Sequence, residues 1–199
     1  LLMCAGYYSY KGGCTPNFKG QDDFKGQVIH PQAWPEDLNY SNKRVVVIGS
    51  GATAVTLIPA MTSKAEHVTM VQRSPSYVLS MPAKDPIANF LRKILPDTTA
   101  YKIARWKNIR LMFFLYRLSR VRPAWMKRII LKMARRNLGP GFDFDTHFTP
   151  RYNLLDQRLC VARDGDFSAA LRSGKASIVT DQIDRFTCNG LLLDSGDEL

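Results

Sequence analysis

The sequence predicts an α/β fold in which a βαβ unit is interrupted by a basic helical insertion. Two observations lead to this prediction. Short runs rich in β-branched residues lie toward both ends of the chain, whereas its middle shows apolar residues at i, i+3, i+4 spacing. With 199 residues, 45% of them hydrophobic, the chain is long enough for one domain with its own core, or for one domain and an appendage.

Strands are predicted from β-rich runs at Arg44–Ile48, His67–Gln72, Ser177–Thr180, Ile183–Phe186 and Leu191–Asp194. The first two enclose a helix-like stretch at Val55–Met61, as a βαβ unit requires. The continuous apolar run in the first strand is typical of a parallel strand buried on both faces. A Cys188-Asn189-Gly190 turn predicts that the last two strands form a hairpin.

Helices are predicted at Pro86–Leu95, Tyr101–Arg120 and Pro123–Leu138, where proline and glycine mark the boundaries. These helices carry the excess positive charge. The whole chain has a net charge of +11, but the segment from 84 to 139 has 15 basic and 2 acidic residues. The net charge of this segment is therefore +13, and the rest of the chain has a net charge of −2. We expect a basic helical insertion at about 84–150 in a nearly neutral domain.

Cysteine usage and hydropathy exclude several classes of protein. Cys4, Cys14, Cys160 and Cys188 form no C-x-x-C pair, so neither a zinc site nor a disulfide framework is predicted, and a reducing cytoplasm is expected. No apolar run approaches the roughly 18–20 residues that cross a bilayer. The ends of the chain suggest no signal peptide and a domain truncated at its C-terminus.

The turn after the first predicted strand, Gly49-Ser50-Gly51-Ala52-Thr53-Ala54, fits G-x-G-x-x-G/A. Gly49 would permit the tight turn, Gly51 the approach of a pyrophosphate, and Ala54 close packing of helix on strand. The helix N-terminus would attract phosphate charge. Strand, helix and second strand supply the context that this pattern needs, so a Rossmann-like domain is predicted. A glycine-rich turn without a ligand is the alternative.

The end of the second strand indicates which dinucleotide binds. An NAD-binding domain would place Asp or Glu there to hold the ribose 2′-hydroxyl, but this chain has Gln72-Arg73-Ser74. A guanidinium and a hydroxyl suit a 2′-phosphate, whereas a carboxylate would repel it. We therefore predict NADP, bound by Arg73 and Ser74. The alternative is that Arg73 is an ordinary surface arginine.

An upstream motif spells F-x-G-x-x-x-H-x-x-x-W-P with Phe24, Gly26, His30, Trp34 and Pro35. Followed by an NADP-type turn, it resembles the fingerprint of class B flavoprotein monooxygenases, the flavin-containing and Baeyer–Villiger enzymes. The motif of that family joins two nucleotide domains and couples their movement. The resemblance thus implies that His30 and Trp34 organise the domains rather than act as acid/base catalysts. Phe24 and Trp34 are expected to anchor the core.

Further matches extend this resemblance along the chain. Leu1–Tyr8 looks like the last strand of the family's FAD-domain region, and Thr15-Pro16 with Gly20 looks like the loop that follows it. Gln157-Arg158-Leu159-Cys160 resembles a K/Q-R-L-C stretch, in which the first residue touches NADP and the arginine reaches the flavin. The 105–108 stretch is most similar to the ethionamide-monooxygenase branch.

The resemblance implies a division into 1–40, the end of the FAD-domain region with the linker, and 41–199, the NADPH-binding domain. It also implies that NADPH reduces FAD, and that a C4a-peroxyflavin transfers one oxygen atom from O2 to a ketone or to a sulfur or nitrogen centre. Arg158 would be the catalytic residue that opposes negative charge, unless it pairs with Asp156. Only one dinucleotide fingerprint is present, so the fragment alone is not expected to hold FAD tightly or turn over.

Three other interpretations remain open. A sequence pI near 9.7 suggests nucleic-acid binding, but no such motif is found and no nucleic-acid partner is predicted. The helices of 84–139 could instead contact an anionic membrane surface peripherally, which is compatible with a small hydrophobic organic substrate. An NADP-dependent dehydrogenase without oxygenation would need a catalytic Tyr/Lys or His/Asp set, for which there is no motif.

Overall fold

The computed structural model describes residues 12–13 and 15–199. The strand predicted over Leu1–Tyr8 lies outside these residues. Within the described part, the strands are β1 (Arg44–Ile48), β2 (His67–Gln72), β3 (Tyr77–Met81), β4 (Leu159–Arg163), β5 (Ala176–Thr180), β6 (Ile183–Phe186) and β7 (Leu191–Leu193). The helices are α1 (Ala52–Met61), α2 (Pro86–Ile94), α3 (Asp97–Val121), α4 (Pro123–Leu138), α5 (Phe144–Phe148) and α6 (Asp166–Arg172). Short 3₁₀ helices occupy Gln21–Asp23 and Pro31–Ala33.

All elements predicted within the described residues are present: four of the nine have the predicted bounds, and the ends of the other five are shifted by one to four residues. Helix α3 begins at Asp97, four residues before the predicted start, because Pro96 provides a non-helical boundary and Asp97 lies in the first turn. Strands β3 and β4 and helices α5 and α6 were not predicted. Each is only five to seven residues long, too short for its periodicity to stand out.

The main sheet is parallel, with strand order β1-β2-β5. Ile48 pairs with Val71, and Gln72 pairs with Thr180, so the three strands end at the same edge. The expectation that β1 is buried on both faces is wrong. Within the described residues β1 has a paired neighbour on one side only, Arg44 and Ile48 are exposed, and Val45–Val47 are only partly buried.

A second parallel pair joins β3 to β4, with Tyr77 opposite Leu159. Helices α2 to α5 lie in the connection between these two strands. The predicted helical insertion is therefore a long crossover that leaves the sheet after β3 and returns at β4. Of the 25 residues of α3, only Ala100 and Ser119 are buried.

The core lies between α1, β2 and α6. Val55, Ile58 and Val68 have no exposed surface, and Phe167 is 1% exposed. A smaller cluster, in which Tyr77 is central, joins α4 to β3. None of the helices in 12–13 and 15–199 has a stretch long and apolar enough to span a bilayer.

The β6–β7 pair is antiparallel, which confirms the predicted hairpin. The segment before the main sheet rests on it. Phe186 donates its backbone N–H to the Lys19 carbonyl at 2.8 Å, and the Lys25 N–H reaches the Cys188 carbonyl at 3.1 Å. The ring of Phe18 lies 5.4 Å from that of Phe186. These contacts hold residues 18–25 against the hairpin.

Candidate functional site

The glycine-rich turn opens toward empty space. Gly49 has φ +117°, a backbone conformation that side chains disfavour, and its N–H donates to the Val71 carbonyl at 2.8 Å. Gly51 precedes α1, and no side chain caps the helix there. A Cβ added at Gly49 or Gly51 would meet nothing within 4 Å. The turn therefore has both room for a ligand and unpaired helix N–H groups to bind one.

The glycine-rich turn is held on its buried side by residues just before β3 and on β4. Ser50 is 4% exposed and Ser76, directly before β3, is 1% exposed, and their hydroxyls lie 3.0 Å apart. The Cys160 thiol on β4 donates to the Ser50 carbonyl at 3.4 Å. Burial raises the pKa of Cys160, against a smaller lowering by Arg158, so the thiol remains protonated and able to donate.

Arg73 and Ser74 follow β2 at the sheet edge where β1 also ends, and both are exposed. The ion pairs of the described residues do not include Arg73. Its guanidinium is therefore available to an anion beside the glycine-rich turn.

The residue before Arg73 is anchored in the interior. Gln72 is 2% exposed, and its amide nitrogen donates to the His147 carbonyl at 2.8 Å and to the Thr180 hydroxyl at 2.9 Å. Nδ1 of His147 lies 2.7 Å from the same hydroxyl. Burial lowers the pKa of His147, although the charge of Asp143 opposes this. This network fixes the end of β2, and with it the backbone of Arg73.

Gln157 and Arg158 are exposed and precede β4. Two residues further along, Cys160 contacts Ser50, so the start of β4 lies against the glycine-rich turn. The Tyr152 hydroxyl donates to the Arg158 carbonyl at 3.0 Å. Asp156 pairs with Arg120 at 2.6 Å, so the alternative pairing of Asp156 with Arg158 is not formed. The Arg158 side chain is thus left without an ion-pair partner among the described residues.

The upstream motif is only partly anchored. The Phe24 ring lies 5.6 Å from that of Phe186, and Gly26 leaves no room for a side chain against the Phe24 ring. His30 accepts the Gln32 N–H at its Nδ1, 3.2 Å away, and so caps the second 3₁₀ helix. Trp34 is 39% exposed, with its edge against Tyr40. The expectation of a core anchor is therefore wrong for Trp34 in this chain.

Arg73-Ser74 thus follow β2 at the edge where the glycine-rich turn follows β1, and β4, which Gln157-Arg158 precede, contacts the turn through Cys160. The described part brings no three His, Cys, Asp or Glu side chains together as metal ligands. The supporting residues that sequence reasoning missed are Ser76, Gln72, His147, Tyr152 and Arg120. They carry no motif, because their roles depend on contacts between distant parts of the chain.

The profile of the flavin-binding monooxygenase-like family matches residues 1–132. Among curated proteins, the chain is 52% identical over 200 residues to the FAD-containing monooxygenase EthA of Mycolicibacterium smegmatis, covering 100% of this chain and 41% of the relative. It is 51% identical over 200 residues to the probable FAD-binding monooxygenase AlmA of Acinetobacter baylyi, covering 100% of this chain and 40% of the relative. The chain therefore spans about two-fifths of the length of these relatives.

Solved structures share the fold. A steroid monooxygenase bound to NADP superposes with a TM-score of 0.69 at 18% identity, over 94% of this chain and 43% of that one. A complex of OTEMO with FAD and NADP superposes with a TM-score of 0.70 at 20% identity, over 98% of this chain and 45% of that one. At these identities the likeness shows the architecture alone.

Proposed function

Because the chain belongs to the flavin-binding monooxygenase-like family, we propose that it is the NADPH-binding part of an FAD-dependent monooxygenase. The full-length enzyme would insert one oxygen atom of O2 into a small hydrophobic organic substrate. The observation that carries this proposal is an open glycine-rich turn beside Arg73, which has no ion pair within residues 12–13 and 15–199, with the start of β4 after Gln157-Arg158 packed against the turn.

NADP would lie along the sheet edge at the glycine-rich turn. The backbone of Gly49–Ala54 and the N-terminus of α1 would bind the pyrophosphate. Arg73 and Ser74 would hold the 2′-phosphate, because a charge-assisted guanidinium contact is stronger than a neutral hydrogen bond. Gln157 would add a neutral contact, which leaves most of the electrostatic selectivity to Arg73.

FAD, when bound, supplies the oxygen chemistry after reduction by NADPH. This chain would contribute Arg158, whose permanently protonated guanidinium opposes negative charge beside the flavin without giving up a proton. The chain has one dinucleotide turn, so by itself it would neither hold FAD tightly nor turn over. The division into 1–40 and 41–199 belongs to the same proposal.

Phe24, Gly26, His30 and Trp34 would couple the two nucleotide-binding regions. The docking of Phe24 on the β6–β7 hairpin supports a mechanical role for the start of this motif. The exposed Trp34 is free to contact other parts of the full-length protein. Trp34-Pro35 favours the Baeyer–Villiger type, but both ketone oxidation and oxidation at sulfur or nitrogen remain within the proposal.

The test uses the purified full-length protein. We expect bound FAD, and NADPH oxidation that delivers one ¹⁸O atom from ¹⁸O2 into a cyclic ketone or a thioether. A protein that exchanges hydride between NADP and an organic substrate, with the same rate in the absence of O2, would be the alternative dehydrogenase. A protein that binds no FAD would contradict the proposal directly.

A second proposal concerns the basic helices of 84–139, which would contact an anionic lipid surface peripherally. The supporting observation is that Trp106, Met112 and Phe113 on α3 are 62%, 66% and 62% exposed among many Lys and Arg side chains. Apolar insertion and headgroup attraction would then act together. We place the protein on the cytoplasmic side, where Cys160 and Cys188, which are free cysteines, would stay reduced.

A further inference from the structure

We propose that Arg120 is a positioning residue for Arg158. By occupying the carboxylate of Asp156, Arg120 would leave the Arg158 guanidinium free to face the cofactor. This inference rests on the proposed function, in which Arg158 lies beside the flavin. It connects the last turn of the long helix α3 to the cofactor edge of the domain.

The contact between Arg120 and the loop before β4 has two parts. One guanidinium nitrogen lies 2.6 Å from Oδ1 of Asp156, and the other donates to the Leu155 carbonyl at 3.4 Å. The guanidinium carbon also lies 5.4 Å from the ring centre of Tyr116, one turn earlier on α3. Arg120 is therefore oriented by its own helix while it holds both the side chain and the backbone of the loop.

At Arg158 itself, the backbone of this loop has a support that does not involve Arg120. Tyr77 donates its hydroxyl to the Tyr152 carbonyl at 2.7 Å, and Tyr152 donates its own to the Arg158 carbonyl. Leu155 has φ +66°, a conformation unusual for a residue with a side chain. Because the backbone at Arg158 is held by Tyr152, nearby charges decide where its flexible side chain points.

Asp156 is the nearest carboxylate to Arg158 in the sequence, only two residues away. Both residues are exposed. If Arg120 were removed, the freed carboxylate would compete with the cofactor for Arg158. An exposed pair of this kind is weak, so we expect effects of about three- to fivefold rather than complete loss.

The experiment compares full-length, FAD-loaded variants: Arg120→Ala, Arg120→Ala with Asp156→Asn, and Arg117→Ala as the matched control. Arg117 is an exposed arginine on the same helix and lies outside the ion pairs of the described residues. Two quantities are measured: the midpoint potential of the bound flavin, and the oxygenated product formed per NADPH consumed. A cation near the flavin stabilises its reduced, anionic form, so losing that cation lowers the potential.

We expect Arg120→Ala to lower the flavin potential and to reduce product per NADPH about threefold. Adding Asp156→Asn should restore both, because the competing charge is gone even though Arg120 is still absent. Arg117→Ala should match the unmodified protein. A role of Arg120 in loop stability alone would not be rescued by Asp156→Asn, so failure of that rescue would overturn the inference.

Asp156→Asn alone supplies a test that does not depend on the folding of the Arg120 variant. It removes the competing carboxylate, and the potential and the product yield should therefore stay unchanged. A fall in either would contradict the inference. Failure of the proposed function is distinguishable, because the unmodified protein would then bind no flavin or form no oxygenated product.

Discussion

The hydroxyl oxygens of Ser50 and Ser76 lie 3.0 Å apart in the interior, although 26 residues separate them in the chain. Ser50 belongs to the glycine-rich turn after β1, and Ser76 immediately precedes β3. The contact therefore ties the turn to the second parallel pair of strands. Through Cys160 on β4, the same pair of strands contacts the turn a second time.

Replacing Ser76 by Ala should destabilise the protein by about 1–3 kcal/mol, because the Ser50 hydroxyl is left buried without this partner. Weaker NADP⁺ binding should accompany the loss, since the turn loses a support. Urea unfolding and NADP⁺ titration measure the two effects. Ser41→Ala, at an exposed site, is the control. A double variant, Ser50→Ala with Ser76→Ala, should cost less than the sum of the single changes.

Replacing Arg73 by Ala should raise the KM for NADPH about tenfold, which corresponds to the loss of a charge-assisted contact of about 1.5–3 kcal/mol. The KM for NADH should barely change, so the preference for NADPH should fall. Steady-state kinetics of the full-length enzyme with each nucleotide test this. Arg136→Ala removes another exposed positive charge, on α4, and should leave the preference intact. An unchanged preference in Arg73→Ala would remove Arg73 from the site.

Replacing Arg158 by Ala should leave the KM for NADPH within about twofold while oxygenated product disappears, because the charge acts in the chemical steps rather than in nucleotide binding. Product analysis alongside NADPH consumption separates the two outcomes. Gln157→Ala is the neighbouring control, and it should affect nucleotide binding more than product yield. Full product yield in Arg158→Ala would show that Arg158 has no part in the reaction.

His147 predicts a dependence of stability on pH. Burial lowers the pKa of its imidazole in the folded protein, whereas the unfolded chain takes up this proton near its ordinary pKa of about 6.5. The neutral, buried imidazole therefore contributes fully to the free energy of unfolding above about pH 6.5, and this contribution is lost as the pH falls below that value. His147→Asn, which can still bond to Thr180, should reduce this pH dependence. Unfolding curves measured above and below about pH 6.5 give the change in the free energy of unfolding with pH. If this change is the same in His147→Asn as in the unmodified protein, His147 is not responsible for it.

The full-length protein should sediment with vesicles of phosphatidylserine and phosphatidylcholine at low salt, and much less with phosphatidylcholine alone or at high salt. Replacing Trp106 and Phe113 together by Ala should weaken this binding about tenfold, because both side chains would insert among the lipids. Val161→Ala removes an exposed apolar residue from β4 and is the control. No binding to the anionic vesicles at low salt would exclude the lipid surface.

The βαβ unit, the glycine-rich turn and the α4 boundaries could be read from the sequence, because each depends on residues close together in the chain. The bounds of β1, β2 and α4 agree with the structure. The burial of the individual strands was less predictable than their positions in the sequence. The apolar run at 44–48 indicated a strand but not that, within the described part of the chain, this strand would pair on one side only, since strand order depends on the partners that the whole chain supplies.

For the site, the residues alone indicated the chemical groups: a glycine-rich turn after β1, a cation after β2, and a second arginine ahead of β4. That β4 packs against the turn could not be predicted, because it depends on the contact between Cys160 and Ser50, 110 residues apart. The pairing of Asp156 with Arg120 and not with Arg158 likewise appears only in the folded protein. The physical reason is that spacing along a chain fixes local conformation, whereas the partners of a charge or hydroxyl are chosen by how distant elements pack.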